Sequence, residues 1–382
     1  MQLTGRHYQT GEPVTVSMAD GRITEISSAP TDDNLPWIAP GLFDIQINGY
    51  GGVWFSDERL TVDQTLEVLH AHYQHGITRM FPTLITNSFE ALEHGFATIG
   101  KACEQEPWAN HMVAGCHLEG PYIGHEDGPR GAHPLEHVRD CDLNEFEKLQ
   151  AASGGRIRLV TLAPERGNAV DFVRGVTGQG IIVAIGHTAA NTEQITAAVD
   201  AGARLSTHLG NGAHGILPRH PNYIWDQLGE PRLTASIIAD GHHLPASVVR
   251  SIYFAKGKQK TILTCDASGL AGCPPGEYDY HGGRFEILDS GKIVVAGQRQ
   301  YLAGSGVQTE VCVAKMIEMT GCTLADAWEM ATTNPAKLMR TETGTLETGA
   351  IADATVFRHS PDREHIEILE TISQGVRRFS CD

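Results

Sequence analysis

Apolar positions change their rhythm twice along the chain. Up to residue 39, short apolar stretches alternate with turns, as in PVTVSMADGRITEISS, the pattern of a small antiparallel β segment. The same rhythm returns from GTLETGAIADATVF onward, with a second alternating run near residues 366–379. Between these ends, apolar runs of strand length alternate with helix-like segments. Eight runs read as strands: LFDIQING (42–49), ITRMFPTL (77–84), VAGCHLEG (113–120), IRLVTLAPE (157–165), IIVAIGHT (181–188), ARLSTHLG (203–210), TASIIADG (234–241) and TILTCDA (261–267). VDQTLEVLHAHYQHG precedes the second strand, and NTEQITAAVDAG precedes the sixth with Thr192 as predicted N-cap and Gly202 as stop. Eight strands, most separated by a helix, predict an α/β protein with a (β/α)8 TIM-type barrel over residues 40–341. Residues 1–39 and 342–382 are expected to pair into a small β-sandwich domain built from both chain termini.

The length of 382 residues fits one barrel and a small accessory unit. A net charge of −17 argues against a nucleic-acid footprint, which would need a basic face, and against an anionic membrane surface. No apolar run approaches the ~18 residues of a membrane span, and MQLTGRHYQTGEPVTV lacks the basic-then-apolar character of a leader. Eight scattered cysteines without a C-x-x-C pair signal neither a disulfide framework nor a thiolate zinc site. The expectation is a cytoplasmic protein with a small-molecule partner, and neither nucleic acid nor membrane.

Active sites of such barrels lie at the C-terminal ends of the strands, so polar residues that close apolar runs carry the candidate chemistry. The third strand ends in His117-Leu-Glu119, the fifth in Gly-His187-Thr, the sixth in Thr-His208-Leu and the eighth in Cys-Asp266-Ala. One carboxylate and two imidazoles at one mouth form a ligand set for a single divalent cation, Zn²⁺ first, with Fe²⁺, Co²⁺ and Mn²⁺ compatible. Each residue alone has an ordinary reading as a capping acid or hydrogen-bonded histidine; the constellation points to metal. On the first strand Asp44, Gln46 and Asn48 are expected to share one face. Amides are weak ligands, so no second tightly held ion is expected there.

The stretches PGLFDIQINGYGG, HLEGPYI, TLAPE, AIGHT, STHLGNG, IADGHH, CDASGLAG, LAGS, TTNPAKLM and GTLETGAIADA together resemble the N-acetylglucosamine-6-phosphate deacetylase family of the amidohydrolase superfamily. Many amidohydrolases carry His-x-His on the first strand; Gln46-Ile-Asn48 stands there instead, as in members of this family that use one metal. The resemblance implies Glu119, His187 and His208 as metal ligands and Asp266 as catalytic acid–base. It further implies His133 as a hydrogen-bond donor to the oxyanion. Substrate contacts would come from Ala132, Asn211, Gly212, Arg219, His243, Ala303, Gly304 and Ser305. A homodimer acting on an amino-sugar phosphate is implied as well. The alternatives are N-acetylgalactosamine 6-phosphate, another N-acyl substrate, or a non-catalytic protein on the same scaffold.

Overall fold

The computed structural model describes residues 1–280, 283–342, 345–359 and 365–381. Eight parallel strands pair in chain order: β1 (Leu42–Ile47), β2 (Ile77–Ile85), β3 (Cys116–Glu119), β4 (Ile157–Leu162), β5 (Ile182–Ile185), β6 (Leu205–Ser206), β7 (Thr234–Ile237) and β8 (Thr261–Leu263). A parallel bridge between Ile47 and Ala267 links the two ends, with the Asn48 N–H donating to the Ala267 carbonyl at 2.9 Å. The barrel is thus closed.

Its connecting helices start where the sequence supplies caps. Helix Val62–Ala71 opens on a Thr61–Gln64 capping box. Helix Thr192–Ala201 ends at Gly202 as predicted, but its N-cap is Asn191, whose side chain accepts from the Gln194 N–H. Thr192 instead donates to Asp226 at 2.9 Å. Inside the barrel, Phe43, Ile45, Phe81, Leu159, Ala184, Leu205 and Ile262 form one buried cluster.

The expected face-sharing of Asp44 with Gln46 and Asn48 does not hold. The β1–β2 register shifts between Asp44 and Ile47. Asp44 accepts from Thr264, the Cys265 N–H and Thr309, whereas Gln46 and Asn48 reach the barrel mouth.

The terminal segments hydrogen-bond as one seven-stranded mixed sheet, in the order 376–380, 366–373, 354–359, 37–40, 2–7, 13–19 and 22–28. Trp328 ties it to the barrel, its ring stacked 4.3 Å from Phe357 and its indole N–H donating to the Pro40 carbonyl at 2.8 Å. A further four-stranded antiparallel sheet, built from Gly276–Tyr280, Gly283–Ile287, Ile293–Val295 and Gln298–Leu302, follows β8. Its Phe285, Ile287 and Ile293 bury with Trp54 and Leu270.

Candidate active site

At the strand ends the chain turns abruptly. His187, His208 and Asp266 all have left-handed backbones, with φ of 51°, 33° and 53°. Non-glycine residues rarely adopt this conformation, which costs of the order of ~1 kcal/mol or more each and persists only where the surroundings enforce it. It brings the three side chains together beside Glu119. Nε2 of His208 lies 3.0 Å from both Glu119 Oε1 and His187 Nε2, and His187 Nε2 lies 3.3 Å from the same carboxylate oxygen.

The tautomer of His187 follows from its partner. Its Nδ1 is 2.7 Å from the Pro129 carbonyl, which can only accept, so Nδ1 carries the hydrogen and Nε2 presents a lone pair. A histidine held this way is prepared for ligation. Two Nε2 atoms and a carboxylate oxygen, all buried and within 3.3 Å, fit a divalent cation of the N/O-binding class. His133 also belongs to this buried group, since its ring, Glu119 and His187 offer ligand atoms within 4.8 Å of one another. Its Nδ1 is bonded to Thr86 Oγ1 at 2.8 Å, and Gly120 makes room for that hydroxyl: a Cβ there would fall 2.1 Å from Thr86 Oγ1.

Burial acts first on Glu119 by raising its pKa, but the bonds and charges of His187 and His208 prevail and hold it well below the usual carboxylate range. Asp266 goes the other way. Burial and then the Glu119 charge push it up to about 8, against the opposing influence of His208 and Asn48. Its Oδ1 accepts from Asn48 Nδ2 at 2.8 Å and Gln46 Nε2 at 3.1 Å, which fixes the carboxyl and leaves Oδ2 for proton exchange. Gln46 also donates to Glu119 at 2.9 Å. The amides of β1 therefore brace two carboxyl groups. Burial takes His133 down to about 3, so this ring is neutral.

Glu119, His187, His208 and Asp266 line a cavity of about 570 Å³ together with Ala132, His133, Asn211, Gly212, His243, Ala303 and Gly304. Two predicted contacts lie elsewhere. Ser305 is buried behind the wall, donating to Asp240 at 3.1 Å, and Arg219 is exposed in the loop before helix Tyr223–Gly229, away from the lining. His117, two residues before Glu119, is fully buried and bonds Thr161 Oγ1 at 2.7 Å.

Sequence reasoning missed the aromatic wall. Trp54 stacks on Tyr280 at 4.7 Å and packs near Phe285, and all three line the cavity. The alternating run EYDY…RFEI, interrupted by Gly-Gly, was the available hairpin signal.

Residues 37–377 match the model of the amidohydrolase family. The chain is 32% identical over 381 residues to N-acetylglucosamine-6-phosphate deacetylase of Lysinibacillus sphaericus, covering 95% of this chain and 93% of that protein. It is 32% identical over 346 residues to N-acetylgalactosamine-6-phosphate deacetylase of Escherichia coli, covering 89% of each. A mutant N-acetyl-D-glucosamine-6-phosphate deacetylase from Mycobacterium smegmatis, solved in complex with N-acetyl-D-glucosamine 6-phosphate, superposes with a TM-score of 0.88 at 27% identity, over 100% of this chain and 99% of that one.

Proposed function

Because the chain belongs to the amidohydrolase family and, within it, groups with the amino-sugar-phosphate deacetylases, we propose that it hydrolyses the acetamide of N-acetyl-D-glucosamine 6-phosphate to D-glucosamine 6-phosphate and acetate. The observation that carries this reading is the convergence of Glu119, His187 and His208 beside an Asp266 whose carboxyl is braced by two amides.

Glu119 and the Nε2 atoms of His187 and His208 would hold one divalent cation per chain, zinc in the first instance. Bound there, such an ion supplies Lewis acidity to the amide carbonyl and draws the pKa of water from ~15.7 toward ~7. Asp266 takes the proton of the attacking water as its oxygen bonds to the carbonyl carbon. It then returns that proton to the nitrogen as the C–N bond breaks, so acetate and the amine leave. His133 suits the oxyanion better than the cation. If Thr86 donates to its Nδ1, Nε2–H faces the carbonyl oxygen, a hydrogen bond of the order of ~3 kcal/mol in comparable sites.

The glucosamine and galactosamine epimers are separated by one hydroxyl orientation, and the Escherichia coli relative, at the same 32% identity, favours keeping the galactosamine reading as the second. The phosphate is assigned to the His243 side of the cavity; Arg219 contributes only if its exposed loop is brought there. A cytoplasmic homodimer belongs to the same proposal, and sedimentation tests the assembly. Acetate release from both N-acetyl epimers, each with and without a 6-phosphate, tests the chemistry. The expected order puts N-acetylglucosamine 6-phosphate first and the unphosphorylated sugars far behind. No acetate from any of the four would reject the deacetylase reading, and equal turnover with and without phosphate would reject the phosphate assignment alone.

A further inference from the structure

Among the described residues no lysine or arginine lines the cavity, and His243 is the lining imidazole that stands apart from the Glu119, His133, His187 and His208 group. What holds it is a carboxylate outside the lining. Asp240, 4% exposed, follows β7 and uses both oxygens twice. Its Oδ1 accepts the backbone N–H groups of His242 and His243, each at 2.8 Å. Its Oδ2 accepts from His243 Nδ1 at 2.7 Å and from Ser305 Oγ at 3.1 Å. Burial would raise the Asp240 pKa, yet the bond from His243 leads the opposing influences and pulls it to about 2. The group is ionised, and an ionised carboxylate only accepts. Nδ1 of His243 therefore carries a hydrogen, and Nε2 is the nitrogen left for a ligand in the cavity.

We propose that Asp240 is a positioning residue for the anionic end of the substrate: acting through His243, it holds the Nδ1–H hydrogen bond that fixes the ring and turns its Nε2 side toward the phosphate. This rests on the phosphorylated-substrate reading above. The geometry also offers a competing, purely structural role. Ser305 donates its backbone N–H to the Asp266 carbonyl at 2.8 Å, so Asp240 braces the loop that carries the proton-transfer residue. The two roles make different kinetic predictions.

Asp240→Asn keeps an oxygen for the backbone amides but removes the negative charge and one of the acceptors. If it acts through His243, KM for N-acetylglucosamine 6-phosphate rises by about 10-fold or more while kcat changes much less, because the phosphate is remote from the scissile bond and its binding is uniform between ground and transition states. The KM of the unphosphorylated sugar stays where it was. His243→Asn produces a similar loss, and combining the two substitutions adds little, as expected for residues acting as one unit. An equal fall in kcat on both sugars, with the KM ratio unchanged, would overturn the proposal in favour of loop bracing. Should the variant fail to fold, nitrogen NMR of the wild-type histidines decides: a protonated Nδ1 on His243 is expected, and an unprotonated one rejects the assignment. If wild type deacetylates neither sugar, the underlying functional reading falls, whereas activity on the phosphorylated sugar with an unresponsive Asp240→Asn removes only this inference.

Discussion

At Asp266 two demands meet on one residue. In the proposed reaction the carboxyl accepts a proton and gives it up again, and burial, then the Glu119 charge, push its pKa up to about 8. It must also be held still, which Gln46 and Asn48 do from β1. Asp266→Asn keeps the size and most of the packing but cannot take the proton, so turnover should fall by ~10²-fold or more. Metal content, measured on the same preparation, should match wild type; loss of the ion would make Asp266 a ligand instead. Asparagine also tolerates the left-handed backbone and removes a buried acid, so the inactive variant should melt higher than the parent. The residues that close apolar runs were readable from sequence because polar residues recur at the ends of several predicted strands, which a barrel brings to one mouth. What Asp44 does was not readable, since the register shift in β1 that separates it from Gln46 leaves no mark in the alternation of residue types.

The same contrast runs through the elements. Helix Val62–Ala71 continues into the short turn His72–His75, where His72 is wholly buried, donates Nδ1–H to the Val68 carbonyl at 2.7 Å and leaves Nε2 without a partner. Burial takes its pKa down to about 3, with the Val68 bond opposing. A folded-state pKa below the unfolded ~6.5 means that the unfolded chain binds more protons between these values. Stability is therefore intact above pH 6.5 and falls as pH drops toward 3, by up to ~1.4 kcal/mol per unit from this residue. Urea titrations between pH 7 and 4 should show His72→Leu with a shallower loss than wild type; parallel slopes would refute the assignment. Strands and caps of the barrel followed from pattern, with the cap one residue earlier than predicted because Thr192 is drawn to Asp226. The four-stranded sheet beside the mouth was passed over although EYDY…RFEI alternates, because it lies beyond the eighth strand, where a barrel pattern is already complete.

At the scale of the whole molecule, the ends of β3, β5, β6 and β8 deliver Glu119, His187, His208 and Asp266 to one cavity, and the terminal sheet packs on the barrel through Trp328 and Phe357. Gln46 and Asn48, whose side-chain NH₂ groups point at carboxylates, offer a second ion only neutral, weak amide oxygens. Elemental analysis of purified protein should find one tightly bound divalent ion per chain, and two would contradict the role given to these amides. The position of Arg219 was the hardest thing to foresee, since the loop between His208 and helix Tyr223–Gly229 is shaped by turns rather than by periodicity. The three left-handed turns at His187, His208 and Asp266 reach beyond this chain to its descendants. Where the reaction is no longer needed, drift at those positions toward asparagine or glycine relieves backbone strain. Two histidines and an aspartate kept at such turns are thus a record of use: in a diverging lineage they should be among the first residues to disappear once the chemistry has stopped mattering.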